Sequence, residues 1–428
     1  MNKRLLFLIL LVGWLNGYSQ KLTAVDSSHK FHIRIGGEAR YQYLYIKNEG
    51  WGEAPEDRNG FVLARHLVHV DIHGGRHFRT FVQLQSSLTG SKKATTAIDN
   101  NALDLHQAFM DFTVNTDKKR RITFRLGRQE LSYGSERLIA AREIPNNRQS
   151  FDAIKAIIIS EKYQSDLFYS SYTESRKGIF DDRFNKNTKL WGAYIVRNNL
   201  PFFRNVDLYY IGLWKNHSVF VDGQGKELRH SAGTRVWGKN KNWSYDVEGT
   251  HQFGKFSFKK ISAWIISSGT SYKFYKARFT PEIRMEAALI SGDNRVGDNR
   301  LQTFNPLFPK GAYFGLAALI GPSNLLVLNP SFLVRPTDKI NLNFEYNAFW
   351  RYSKSDCIYG TNVQLIYSGI GKPSRQIGSQ VMTSVDCIFN SFISFKAEFT
   401  WFNAGQYLKQ AGTGKDILMT GVTIHSKF

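Results

Sequence analysis

Nine arginines carry most of the chemistry that this sequence offers: Arg40, Arg65, Arg79, Arg125, Arg128, Arg148, Arg235, Arg284 and Arg351. Guanidinium stays charged at any working pH, and its planar fork matches a carboxylate. Such a set suits holding or passing an anion rather than making and breaking bonds. Each arginine could equally be structural, paired with a nearby acid such as Asp71, Glu130 or Asp152.

Catalytic arrangements are harder to find. A hydrolase needs a nucleophile, a base and an orienting group, yet no serine here stands in a glycine elbow. His69 and His73 fall on one side of an alternating segment and His66 on the other, so the three cannot share a metal. Asp181-Asp182, and Asp293 with Asp298, lack the spacing of an EF-hand loop and read as solvated loop acids. No phosphate-cradling glycine loop or cofactor motif is present, so neither a catalytic residue nor a cofactor is expected.

The elements that must position the arginines are strands. Ile122, Phe124 and Leu126 alternate with Thr123, Arg125 and Gly127, the period-2 pattern of one apolar and one polar face. Val62, Ala64, Val68, Val70 and Ile72 likewise oppose Arg65, His69, Asp71 and His73. Later, Phe395, Ala397, Phe399 and Trp401 oppose Lys396, Glu398 and Thr400. A dry sandwich or propeller core would not tolerate so many mid-strand charges, whereas a watered lumen would.

Link lengths alternate too. Short links such as His73–Phe78, Asn198–Arg204 and Pro336–Lys339 interleave with long ones such as Lys47–Gly60, Glu130–Arg148, Asn216–Glu227 and Ser291–Ser323. That rhythm predicts an all-β fold: a closed antiparallel transmembrane β-barrel of about 18 strands with short periplasmic turns and long extracellular loops. Closure follows because lipid offers no hydrogen-bond partner to an open edge. A barrel of this size leaves an aqueous channel, with selectivity set by charged rings and by loops folded into the opening.

Lys3-Arg4, the apolar run Leu5 to Leu15 and the small residues that follow read as a secretory signal peptide over residues 1–19, leaving 20–428 as one barrel domain. Losing Lys3 and Arg4 lowers the formal charge from +22 to +20. Export argues against nucleic acid as the partner of so basic a chain. An anionic solute or lipopolysaccharide headgroups fit better. Cys357 and Cys387 fall at opposite ends of the expected barrel, so no bridge between them is expected. Val422, Ile424 and the terminal Phe428 share one face of the last strand, which resembles the signal read by barrel-assembly machinery.

One stretch also carries a resemblance. Gly127-Arg128-Gln129, Tyr133-Gly134, Arg137-Leu138 and Arg148 with Ser150-Phe151-Asp152 are similar to the signature of the alginate export family of outer-membrane porins. Ser291-Gly292-Asp293, the run Thr303 to Pro309, and Tyr313-Phe314-Gly315 extend it. The resemblance implies an outer-membrane barrel of 18 strands, monomeric, with an electropositive lumen passing an anionic polyuronate, and no enzyme. Arg128 and Arg148 inherit the pore-lining role most directly, and Arg65 by weaker pattern. Periplasmic export components would then be partners. The alternatives are a barrel enzyme acting on envelope lipid and a plugged structural or adhesion barrel.

Overall fold

The computed structural model describes residues 31–117, 119–318 and 320–428, so the leader expected over residues 1–19 lies outside it. Twenty-one strands are present among these residues. They are β1 (Phe31–Lys47), β2 (Phe61–Gly74), β3 (Phe78–Gly90), β4 (Asn101–Asp117), β5 (Arg120–Gln129), β6 (Phe151–Ser160) and β7 (Tyr163–Glu174). Then come β8 (Arg183–Asn198), β9 (Asn205–Phe220), β10 (Gly223–Asn240), β11 (Trp243–Phe256), β12 (Lys259–Lys273), β13 (Glu282–Ile290) and β14 (Arg300–Leu301). The last are β15 (Leu325–Thr337), β16 (Ile340–Arg351), β17 (Ile358–Tyr359), β18 (Leu365–Tyr367), β19 (Gln376–Ile388), β20 (Ile393–Ala404) and β21 (Ile417–Lys427). β14, β17 and β18 are short pieces within loops, and the other eighteen build the barrel.

Each long strand pairs antiparallel with its sequence neighbours, and β1 pairs with β21 from Glu38↔Lys427 to Lys47↔Leu418, which closes the ring. Phe428 completes the seam: its N–H donates to the Gly37 carbonyl, and the Gly37 N–H donates back, both at 3.0 Å. No backbone edge is left to face lipid, as the hydrocarbon requires.

Side-chain parity follows the sequence. Phe124 and Leu126 on β5 are about half exposed, at 52% and 51%, and Ile154 on the neighbouring strand is 60% exposed. Thr123 and Arg125 between them turn inward. The same split places Leu167 and Tyr169, Phe344 and Tyr346, and Val422 and Ile424 on the outer belt. Left half exposed by the chain, these apolar groups are stable where lipid covers them.

One expectation needs correction. Residues 216–227 are not a long loop, because β9 and β10 continue to Phe220 and from Gly223 around a two-residue turn. Alternation in this hairpin does not report on lipid alone. Its Phe220 packs instead on Phe256 and Tyr359. The long-loop half of the lumen is narrowed by loops folded into the opening, as expected. Loops 130–150 and 291–324 fold into it with a continuous apolar cluster that includes Leu131, Leu138, Ile139, Phe304 and Leu307.

Candidate functional site: the lumen and the loops that narrow it

Loop 130–150 is tethered at both flanks. Arg40 on β1 donates to the Glu143 carbonyl at 2.8 Å and to Asn146 Oδ1 at 3.3 Å. Arg65 on β2 is fully buried and bridges Glu38, at 3.0 Å, to Glu143. Arg148 pairs with Glu143 as well, and lies 3.5 Å from both Glu38 and Glu130. Burial alone would raise the Glu143 carboxyl, but the Arg65 and Arg148 guanidiniums hold it below the usual carboxylate range.

Across the lumen the same loop is held by aromatic stacking. Tyr133 stacks on Phe168 and Tyr194, and Tyr194 stacks on Tyr209 at 5.3 Å between centroids. Gly134 has φ +56, and a Cβ there would collide with the Tyr194 hydroxyl, so glycine is required beside this column. Arg137 donates through Nε to Glu248 at 3.0 Å and through Nη1 to the Tyr313 hydroxyl at 3.0 Å.

The second loop joins the first through main chain. Ala140 N–H donates to the Phe308 carbonyl and Phe308 N–H to the Leu138 carbonyl, both at 2.9 Å. Gln252 on β11 grips it, donating to the Asn305 carbonyl at 2.7 Å and accepting from the Asn305 N–H at 3.0 Å.

Beneath the loops, charged groups zip the wall together. Asp71, Arg79, Asp111 and Arg125 form one chain of ion pairs across β2 to β5. Asp207, Arg235 and Asp246 form another across β9 to β11. The open space lies on the opposite wall, β13 to β20. A cavity of about 320 Å³ there is lined by Arg137, Arg284, Glu286, Lys310, Tyr313, Glu345, Lys396 and Glu398 among others. A second space of about 410 Å³, lined also by Glu282, Arg335 and Asp386, shares Arg284, Ser331, Asn343 and Lys396 with it. Together they trace a polar path beside the inward loops.

The nine arginines therefore separate. Arg284, its side chain 48% exposed, lines this path. Arg79, Arg125 and Arg235 face inward with carboxylates at 2.5–3.5 Å. Arg40, Arg65 and Arg148 tether the loop. Arg128 forks onto Asp152 at 2.9 and 3.2 Å, on the strand parity of Phe124 and Leu126 rather than that of Arg125. Arg351 is fully buried and donates to the carbonyls of Lys354, Asp356, Gly369, Lys372 and Ser374. Sequence reasoning missed Lys310, Arg335 and Lys396. Lys396 was already visible on a polar strand face, and a rule admitting lysine would have found it. Cys357 sits buried in the loop after β16, and Cys387 near the turn end of β19.

A carboxyl pair fastens the outer rim. Asp293 is buried against Asp222 and Asp356, and it shares a hydrogen bond with Asp222, which pushes it up to about 8. Desolvation comes first among the causes, then the Asp222 carboxylate. An acid whose folded value lies above its unfolded value near 4 favours folding only while protonated, so its contribution falls as pH rises from about 4 through about 8. Protection of residues 291–302 from hydrogen exchange, corrected for the intrinsic pH dependence of exchange, should accordingly fall as pH rises from about 4 through about 8, and Asp293→Asn should flatten that dependence. A loop equally protected at pH 6 and pH 9 would contradict this.

No curated protein matches the sequence significantly. Among solved structures, the chain is similar to OccK11 (OpdR) of Pseudomonas aeruginosa, with TM-score 0.59 and 9% identity over 92% of this chain and 96% of that one. OccAB1 of Acinetobacter baumannii gives 0.58 at 13% identity over 92% and 96%. A BenF-like porin from Pseudomonas fluorescens gives 0.60 at 7% identity over 92% and 98%. At such identities these likenesses speak for the fold, that of an outer-membrane porin. The alginate export family model matches residues 31–416. With a closed eighteen-strand barrel, a lipid-facing apolar belt and a polar path beside two inward loops, this chain belongs to the alginate export family and is an outer-membrane channel for solutes.

Proposed function

We propose that the channel passes anionic solutes, an alginate-like acidic polysaccharide or a smaller carboxylated saccharide, with a modest anion preference. The observation that carries this reading is the placement of Arg284, Lys310 and Lys396 around the cavity under the loops. Glu286, Glu345 and Glu398 share that lining, so the field is mixed and the preference is small. Tyr313 is buried beneath the Lys310 ammonium, 5.1 Å from its ring centroid, and against Phe314, so it anchors Lys310 at the cavity wall. The buried arginines hold the wall and loops in place, and the solute meets the three basic groups on the open side, where Arg284 lies 3.3 Å from Glu282 and Lys396 lies 2.8 Å from Glu398. The family match and the porin-like fold support passive transport as the reading.

Reversal potentials across a planar bilayer under a KCl gradient test this. Wild type should favour chloride, and the double variant Arg284→Glu, Lys396→Glu should reverse the sign. A cation preference in wild type would overturn the proposal.

A further inference from the structure

At the long-loop end, the cell surface for a barrel of this kind, three carboxylates converge outside the lumen path. Asp104 on β4 and Asp181 and Asp182 in loop 175–182 each place an oxygen within 4.8 Å of the others. The loop is docked there by main chain. Ala102 and Leu103 N–H groups donate to the Lys177 and Gly178 carbonyls, and Phe180 N–H donates to the Leu103 carbonyl.

Close acids alone would be an ordinary solvated patch, but this cluster is half-buried, with Asp104 at its inner end. Asp104 is 3% exposed, and its Oδ2 is buried without any hydrogen-bond donor. Asp181 Oδ1 is buried and unpartnered as well, as is Oδ1 of Asn101, itself 2% exposed beside Asp182. Two nearby cations are engaged elsewhere. Arg128 is forked onto Asp152, and the Lys177 ammonium reaches the Thr95 carbonyl at 2.7 Å. Three carboxylates whose oxygens lie within 4.8 Å of one another repel one another when ionised.

We infer that Asp104, Asp181 and Asp182 bind a divalent oxygen-seeking cation, calcium by its tolerance of irregular oxygen cages, clamping loop 175–182 onto β4. Three carboxylates with carbonyl and water oxygens suit the six to eight ligands that calcium takes, and an extracellular site works at millimolar ion levels. The cation would add positive charge that Arg128, forked onto Asp152, supplies only from a distance.

The full chain, refolded in detergent free of lipopolysaccharide and stripped with EDTA, should be titrated with CaCl₂ by calorimetry. One equivalent should bind with a Kd on the order of 10⁻⁴–10⁻³ M, weakened at least tenfold in Asp181→Asn. Hydrogen exchange of residues 175–182 gives a second reading. In wild type, calcium should slow it. In Asp104→Asn, where the repulsion is relieved without an ion, exchange should be slow from the start and unresponsive to calcium. Absence of calcium binding to wild type up to 10 mM, or equal binding by both variants, overturns the inference. So does a loop protected by acid but not by calcium, since a shared proton then closes the cluster.

Discussion

Replacing residues 132–147 with a short glycine–serine linker should raise single-channel conductance roughly three- to tenfold, because an eighteen-strand barrel without its inward loop is a wide aqueous pore. The barrel should survive the change. Gln129 and Phe151 are directly paired at the ends of β5 and β6, so a short linker spans the gap. What is lost is the wedge: Tyr133 from its stack with Phe168 and Tyr194, Arg137 from Glu248 and Tyr313, and the main-chain bridge that carries loop 291–324. The second loop should loosen with the first, so anion preference should fall while current rises. Unchanged conductance would show that the loop does not narrow the path.

Arg351→Ala is expected to have the largest effect on stability. Its guanidinium makes six hydrogen bonds to five carbonyls, at 2.5–3.3 Å, and its Cζ lies 4.0 Å from the Tyr407 ring centroid. Tyr407 belongs to α1 (Gln406–Ala411), so one side chain ties the 352–375 loop to the 405–416 loop. Truncation leaves buried carbonyls without donors, at a cost on the order of 3–5 kcal/mol of local stability. Lysine should rescue little, since one ammonium cannot reach five acceptors arranged around a plane. Limited proteolysis between 352 and 375 should become rapid in both variants, while the barrel strands remain protected. Wild-type resistance in Arg351→Ala would refute the strap.

The strands were legible because lipid and water impose a period of two on every one of them, and Phe124, Leu126 and Ile154 obey it. The arginines were legible as a class but not in their roles. Charge and polar parity cannot distinguish Arg284, which lines the path, from Arg125, which is spent on Asp111 at 2.7 Å. Some of that distinction was available in principle. Asp111 and Arg125 are directly opposed across one short turn, so hairpin register would have paired them. Arg40 and Glu143 offered no such signal, being joined only when loop 130–150 folds inward over a hundred residues away in sequence. The motif residues Tyr133 and Arg137 were noticed for their pattern, but their purpose depended on Tyr194 and Glu248 from distant strands.

The most direct test places single cysteines on adjacent residues of β15 in a Cys387→Ser background. Ser331 lines both spaces of the path, whereas Phe332 is 41% exposed on the outer belt. In single-channel recordings, a charged aqueous thiol reagent should lower the current of Ser331→Cys and leave Phe332→Cys untouched. No conductance at all, or block through position 332 instead of 331, would contradict a channel running along this wall.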